Sequence, residues 1–439
     1  MKIRRSKLYN ETLGCYYPSF FSMEIDTNAP MSNFDLQKVS YYEQSVFFHE
    51  YIHFMQDFMT TSGLYNIYCI NETFRDIATN NATRNPFLVS VQESENVIIR
   101  VNNTINRMTF GGDSDYDYIE IKNIHTEPYS DDDFMSVKMQ PVELILLETN
   151  HGIIQFGRRE IMESMAFALE QLCTRGYDPA PEYPYSTAEK MARFVCHNGF
   201  EDSLLNVLAL CDISLMTQNP GATFFNYLNR IVLEEISVQK AEDLYDDFYA
   251  KNGKDYYGNI KSTLQDYDEK LCHAKEALKS YINQNEISAQ LDQWIDLIFD
   301  TGKTIRHESP YFFINMARNG YFAQNRIFAN LVRLVGSPLI KNKKGEYGYF
   351  PSTPDYGGIF QYLTAIESVY NIFYGEFACS LYDFCVQSEG KSKIKVNDYC
   401  KSSPWRRCMD AELCPVAMVM RHRRLYVNPP IEESEHMYH

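Results

Sequence analysis

The stretch that decides the fold, residues 40–63, reads SYYEQSVFFHEYIHFMQDFMTTSG. Ser40 is followed three residues later by Glu43, a capping-box pattern that marks the start of a helix. Apolar residues then recur at helical spacing, and Gly63 is a suitable stop. The pattern predicts a helix over about 41–62.

Three titratable side chains, His49, Glu50 and His53, lie among the apolar residues of this helix. Burial of such groups costs several kcal/mol unless something compensates for it. Positions four apart lie on one helix face, so His49 and His53 point into a shared space, with Glu50 beside it. The spacing is that of H-E-x-x-H, in which two imidazoles bind zinc and the carboxylate is a general base.

The surroundings of the motif decide between this interpretation and chance. The motif alone carries a real risk of false positives, and the alternative is a solvated helix face that happens to hold these residues. The flanking residues are VFF before the motif, YI inside it and FM after it, all uncharged. This setting favours a buried helix and resembles the extended motif of the zinc metallopeptidases.

Zinc requires a third protein ligand and an open position for water. The metzincin continuation, with a glycine and a third histidine, is absent, because His53 is followed by FMQDFMTTSG. The segment EIMESMAFALE at 160–170 resembles the second helix of the gluzincin clan, which supplies a glutamate. The resemblance covers the two helices, about a quarter of the chain, and implies Glu163 as the third ligand, with small Ser164 and Ala166 allowing close approach.

The ligand assignment has alternatives, because more than a hundred residues separate His53 from Glu163. Glu160, one turn earlier, and His151, in a predicted loop, are rival third ligands, and Glu163 itself would otherwise be a surface carboxylate. Other polar residues are candidates for supporting the imidazoles or for stabilising an oxyanion. The supporting candidates are Gln56, Asp57, Asn71 and Glu72, and the oxyanion candidates are Tyr177, His197 and His307.

The remaining patterns predict an α+β protein that is predominantly helical. Residues 1–157 form a zincin-like N-terminal α/β part with the motif helix and a small sheet, and residues 158–439 form a helical part that supplies the third ligand and a cleft wall. The Pro- and Gly-containing loop 337–358 is a further candidate boundary. Strands are predicted at 97–101, 117–123, 142–148 and 152–156. Helices are predicted at about 64–79, 158–176, 186–197, 202–217, 222–247, 258–285, 287–300, 310–335 and 360–388.

Composition excludes several classes of partner. The net charge of −17 argues against nucleic acid and anionic lipid, which reward clustered Lys and Arg. Apolar runs of 18 residues or more are absent, and no apolar run follows the basic N-terminus, so neither a membrane span nor a secretion signal is predicted. The 11 cysteines are odd in number and scattered, which favours free thiols in a reducing cytoplasm.

Cysteines recur near the C-terminus at Cys385, Cys400, Cys408 and Cys414, with His422 beyond them. They could form a second zinc site, but no C-x-x-C pair is present and the spacing fits no standard zinc pattern. Ordinary buried cysteines are the favoured interpretation.

The resemblance implies an intracellular zinc metallopeptidase that acts on a protein or peptide substrate. Glu50 would be its general base, and His49, His53 and Glu163 its Zn²⁺ ligands. A narrow cleft or a regulatory protein partner would restrain it. The alternatives are a non-catalytic zincin-fold protein that acts through protein binding, and a zinc hydrolase that acts on a non-peptide amide.

Overall fold

A computed structural model of the chain describes residues 3–7, 11–31, 35–82, 88–89, 94–175, 179–196, 199–200, 203–254, 258–280, 286–356, 359–388, 395–423, 425 and 431–432. Helix accounts for 58% of the chain and strand for 12%, which confirms a mainly helical α+β protein. The zincin-like arrangement and the division at residue 157 stay predictions.

The first part of the chain holds most of the strands. In order, its elements are β1 (Ile3–Lys7), β2 (Glu11–Tyr17), β3 (Ser22–Ile25), α1 (Tyr41–Met59), α2 (Thr61–Ala82), β4 (Leu88–Val89), α3 (Val97–Met108), β5 (Ile121–Tyr129), α4 (Asp132–Ser136), β6 (Val142–Thr149) and β7 (Gly152–Phe156).

The rest of the chain is mainly helical. Its elements are α5 (Arg158–Cys173), α6 (Glu182–Tyr185), α7 (Thr187–Val195), α8 (Leu204–Leu215), α9 (Pro220–Val232), α10 (Glu242–Tyr249), β8 (Asn252–Lys254), β9 (Ile260–Ser262), α11 (Thr263–Lys279), α12 (Glu286–Glu308), α13 (Phe312–Arg318), α14 (Arg326–Val335), β10 (Leu339–Asn342), β11 (Tyr347–Gly348), α15 (Phe360–Phe373), α16 (Tyr382–Gln387), α17 (Tyr399–Ser402), α18 (Pro415–His422) and β12 (Ile431–Glu432). Short 3-10 helices lie at Phe322–Gln324 and Pro404–Met409.

The start of α1 is confirmed, but its end is not. The Glu43 N–H donates to the Ser40 hydroxyl at 3.2 Å, and the Ser40 N–H donates to the Glu43 carboxylate at 2.8 Å, which completes the capping box. The helix ends at Met59 because Thr60 has extended backbone angles. Gly63 lies inside α2, where a Cβ would be 2.3 Å from the Gln56 carbonyl oxygen, so glycine is required there for close approach of the two helices.

The strand prediction for 97–101 is wrong, because this segment opens α3. The Asn96 side chain accepts a hydrogen bond from the Ile98 N–H and caps the helix, and this overrides the β-branched run VIIRV. Val101 and Ile105 are then buried against α2, with Tyr65 in the same cluster. Cap and packing together outweigh strand propensity here.

The later strand predictions are mostly confirmed. Segments 142–148 and 152–156 form β6 and β7 of an antiparallel sheet with the order β5-β6-β7, while β5 begins only at Ile121. Three predicted long helices, 222–247, 310–335 and 360–388, are each divided in two. In the second of them, Gly320 has a φ of 71° after α13, a conformation that favours glycine and ends the helix.

The N-terminal sheet has the strand order β1-β2-β3-β10-β11. β10 pairs with β3 in parallel, from Leu339 opposite Ser22 to Asn342 opposite Ile25. The segment 337–358, predicted as an internal boundary, therefore contributes two strands to the N-terminal sheet.

Helix α1 lies at the centre of the core. Every residue from Gln44 to Met59 is buried, and the helix packs against α2, α5, α12 and β2. One core cluster includes residues from Leu13 to Leu425. None of the helices that the structure describes has both the length and the apolar character needed to cross a lipid bilayer.

A buried ion pair fixes the C-terminal end of α1. The Arg306 guanidinium on α12 donates to both carboxylate oxygens of Asp212 on α8, at 2.7 and 2.9 Å, and its Nε donates to the Met59 carbonyl. The Tyr245 hydroxyl also donates to Asp212, at 2.8 Å. Both charged side chains are fully buried, so water cannot solvate the remaining charge if its partner is removed.

We expect Arg306→Met to lower the free energy of unfolding by about 3–5 kcal/mol, because the Asp212 charge stays buried without its partner. Chemical denaturation followed by circular dichroism measures the loss. The double variant Arg306→Met with Asp212→Leu is the control and should recover part of it. Equal stability of the single variant and the original chain would contradict the assignment.

Candidate metal centre

The structure brings His49, His53 and Glu163 together where α1 and α5 pack. The Glu163 Oε2 atom lies 3.1 Å from His49 Nε2 and 3.5 Å from His53 Nε2. One ligand atom from each residue lies within 4.8 Å of the other two, and all three side chains are fully buried. This group can hold a metal ion.

The start of α5 explains how Glu163 is positioned. Glu160, at the third position of the helix, accepts a hydrogen bond from the Gly157 N–H at 2.7 Å and closes the first turn. Glu163 follows one turn later, on the buried side of the helix. The neighbouring Ser164 hydroxyl donates to the Pro184 carbonyl, which ties this turn of α5 to α6.

The Nδ1 atom of each histidine, on the side of the ring away from Glu163, has a hydrogen-bond acceptor. His49 Nδ1 lies 3.0 Å from Glu170 Oε2, and His53 Nδ1 lies 2.8 Å from Gln56 Oε1. The Gln56 amide nitrogen donates to the Met162 carbonyl at 3.1 Å, so its oxygen must face His53. Each Nδ1 therefore carries a proton that points away from the centre, and each Nε2 is the ring atom that faces Glu163 and would bind a metal.

Two imidazole Nε2 atoms and a carboxylate face each other at the centre of the group. This arrangement requires a shared proton or a cation. Among the described residues, Glu163 Oε1 and His53 Nε2 are buried and have no hydrogen-bond donor. These orphaned atoms fit a metal ion that is bound by two imidazoles and one carboxylate.

The pKa directions show the same demand for positive charge. Burial lowers the pKa of His49, but hydrogen bonds to Glu163 and Glu170 outweigh burial and raise this pKa to about 9. Burial raises the pKa of Glu163, but the two histidines outweigh it and lower this pKa to about 2. The pKa of His53 is lowered, with burial as the largest cause. The site thus favours an ionised Glu163 beside a positive charge, which a proton on His49 supplies in the metal-free chain and which a metal ion would supply in its place.

Glu50 is fully buried beside the N-terminal sheet. A Cβ built on Gly14, in the middle of β2, would lie 2.4 Å from Glu50 Oε1 and 2.8 Å from its Cγ. The absence of a side chain at Gly14 therefore gives the Glu50 side chain its space. The Glu50 carboxylate, the general-base candidate, therefore lies between its own helix, α1, and strand β2.

The two rival ligands lie in other networks. Glu160 accepts from the Gly157 N–H, from the Gly112 N–H at 3.1 Å and from the Tyr183 hydroxyl at 2.7 Å, so it fixes the loop before α5. His151 is exposed and its Nε2 bonds to the Tyr118 carbonyl oxygen at 2.8 Å. Neither residue belongs to the ligand group.

Of the predicted supporting residues, Gln56 contacts an imidazole. Asp57 instead accepts from the Tyr16 hydroxyl and the Ser19 N–H, because its side chain faces the N-terminal sheet. Asn71 bonds to the Ile67 carbonyl within α2, and Glu72 pairs with Arg75. Among the oxyanion candidates, His307 pairs with the partly exposed Asp268, and Tyr177 and His197 lie outside the described residues.

Glu170 is the residue at the site that sequence reasoning missed. It lies seven residues after Glu163, which is two turns along the same face of α5. This spacing was the available signal for a carboxylate behind His49. Zinc suits the set of two imidazoles and one carboxylate, and other divalent transition metals bind the same ligand types.

Comparison of the chain with protein-family models, with curated proteins and with solved structures finds no match. The geometry of the site is therefore the basis for a functional proposal.

We expect Glu163→Ala to lose bound metal, because one of three ligands is removed, with affinity reduced by more than about 100-fold. Glu160→Gln is the matched control, since this carboxylate belongs to the loop network and its variant should keep the metal. Elemental analysis of the purified, dialysed proteins measures both. Full metal content in Glu163→Ala would remove this residue from the ligand set.

We expect Glu170→Ala to weaken metal binding by about 10- to 100-fold, because His49 loses the acceptor that orients its ring. Competition with a chelator of known affinity gives the dissociation constant. Stability is measured on the same samples, so that a loss of fold is distinguished from a loss of metal. Unchanged affinity in a folded variant would show that the His49–Glu170 bond has no part in binding.

Proposed function

We propose that this protein is a zinc-dependent hydrolase of gluzincin type that cleaves peptide bonds. The observation that supports the proposal is the convergence of His49 and His53, one helical turn apart, with Glu163 from a second helix. Glu50 belongs to the same helix as the two histidines and completes the H-E-x-x-H set. Two imidazoles and one carboxylate are a ligand set that catalytic zinc sites use, and the far-side hydrogen bonds of the imidazoles suit metal binding.

The residues of the chain have separate tasks in this reaction. His49, His53 and Glu163 would hold the ion, and Glu170 and Gln56 would keep the imidazoles in the binding tautomer. Bound zinc supplies Lewis-acid polarisation of a carbonyl and lowers the pKa of its water ligand to about 7. The Glu50 carboxylate would accept a proton from the attacking water and pass it to the leaving nitrogen.

Access to the site is closed in the structure. His49, Glu50, His53 and Glu163 are all fully buried. The backbone of β2 lies against Glu50, and the Tyr185 ring lies 5.9 Å from the His49 ring, centroid to centroid. A substrate would reach Glu50 only after a covering segment moves, which supports the proposal of an enzyme restrained by its own fold or by a regulatory protein partner.

Complete burial also supports the second candidate, a non-catalytic protein in which the metal is structural. Structural metal sites are closed, whereas catalytic sites keep one open position. A structural ion would join α1 to α5, and the protein would then act through its surface. The two candidates differ in what they require of Glu50, since only the hydrolase needs its carboxylate to move a proton.

The proposed setting is the cytoplasm. All 11 cysteines are free in the structure, as expected of a reducing compartment. The net charge of −17 supports a protein or peptide substrate over nucleic acid or an anionic membrane surface.

We expect Glu50→Gln to keep zinc and fold but to lose hydrolysis by about 100- to 10,000-fold, because the amide cannot accept the proton. The assay incubates the zinc-loaded protein with a mixed peptide library and identifies products by mass spectrometry. A parallel panel of non-peptide amides tests the other hydrolase class.

The same variant separates the two candidates. If the original chain hydrolyses no peptide and no amide, and Glu50→Gln equals it in every measurable effect, the structural-metal candidate replaces the hydrolase. Cleavage of non-peptide amides alone would keep the mechanism but change the substrate class.

A further inference from the structure

Four cysteines near the C-terminus surround one small enclosed cavity. Cys379 precedes α16, Cys385 lies within α16, Cys400 lies in α17 and Cys414 occupies the N-cap position of α18. Three segments of the chain thus bring four thiols to the same space. The set differs from the one considered in the sequence, because Cys379 takes the place of Cys408.

A buried cation contacts one of these sulfurs. The Arg407 Nη1 atom lies 3.0 Å from Cys400 Sγ, and the Arg407 side chain is almost completely buried. The same guanidinium also donates through Nε to the Asp410 carboxylate, so Arg407 lies between a carboxylate and a sulfur. A guanidinium beside a sulfur favours the thiolate form, because a buried negative charge needs a partner.

A second sulfur lies at the start of a helix. Cys414 occupies the N-cap position of α18, where its side chain makes no cap hydrogen bond. The positive end of a helix favours a thiolate over a thiol, and ligating or reactive cysteines are found in such electropositive surroundings.

Cys408 provides an internal contrast. Its Sγ donates towards the Ala417 carbonyl oxygen at 3.8 Å, as a protonated thiol does, and it does not line the cavity. It is fully buried in the main core cluster. The same short segment therefore holds one cysteine of the ordinary buried type and four that line a common cavity.

The helices around these cysteines are short. Between Cys379 and His422 the described elements are α16, α17, a 3-10 helix and α18, of six, four, six and eight residues. Elements this short bury little apolar surface of their own. Small segments of this kind are commonly held together by disulfides or metals, and every cysteine here is free.

We infer that Cys379, Cys385, Cys400 and Cys414 hold a thiolate-bound metal centre, and that this centre is an iron–sulfur cluster. Four thiolates hold either a zinc ion or a cluster. Around zinc the sulfurs would be about 3.8 Å apart, from the tetrahedral angle and a 2.3 Å bond. Among the described residues, His49, His53 and Glu163 form the only group with three ligand atoms within 4.8 Å of one another. No three of the four cysteine sulfurs are therefore that close together. Their wider spacing fits a cluster of several irons.

The test measures iron, zinc and acid-labile sulfide in the full chain purified without oxygen, together with its visible absorption. Glu163→Ala serves as the background, so that metal in the histidine site does not contribute. We expect iron and sulfide in equal amounts, and a loss of both of at least about 10-fold in Cys400→Ala and Cys414→Ala. Cys408→Ala is the matched control and should keep the centre.

Each other outcome has a definite meaning. One outcome is one zinc ion per chain in place of iron, lost in Cys400→Ala and Cys414→Ala and kept in Cys408→Ala. This result supports the four-thiolate site and identifies the metal as zinc. Absence of both metals from the Glu163→Ala background overturns the inference, as does equal loss in all three cysteine variants. Because the analysis of metal in the background protein needs no cysteine variant, misfolding of a variant leaves the inference testable. The result is independent of peptide hydrolysis.

Discussion

The central constraint on this structure is that three acceptor groups are buried facing one another. The Nε2 atoms of His49 and His53 meet the carboxylate of Glu163 in a space closed to solvent. Such a group is stable only when positive charge lies at its centre. Since the two histidines belong to α1 and the glutamate to α5, an ion placed there would join the helices on which the core is built.

Three polar residues of α1 have hydrogen-bond partners in different parts of the fold. His49 turns to Glu170 on α5, His53 to Gln56 in its own helix, and Asp57 to the turn after β2. At the helix end, the Met59 carbonyl accepts from Arg306 on α12. A helix that is apolar on all sides can hold charged residues because the elements packed around it supply their partners.

Local patterns predicted much of the centre, and tertiary packing decided the rest. The capping box located α1, and helical spacing placed His49 beside His53. Glu163 could be named only through a resemblance, because nothing in a linear sequence states which of many carboxylates lies across from α1. Asp57, one of four candidates for supporting an imidazole, has other partners: a four-residue spacing from His53 specifies a helix face, while the Tyr16 hydroxyl and Ser19 N–H decide what it contacts.

The order of the strands bears on when this protein can form during its synthesis. β3 lies between β2 and β10, so the N-terminal sheet is incomplete until residues 339–342 have been made. Domains generally fold as units while the ribosome is still adding residues. In this chain, the parallel partner of a strand near residue 22 is synthesised more than three hundred residues later. For most of translation, therefore, the nascent chain carries the His49–His53 helix while β3 lacks the strand that pairs with its outer edge.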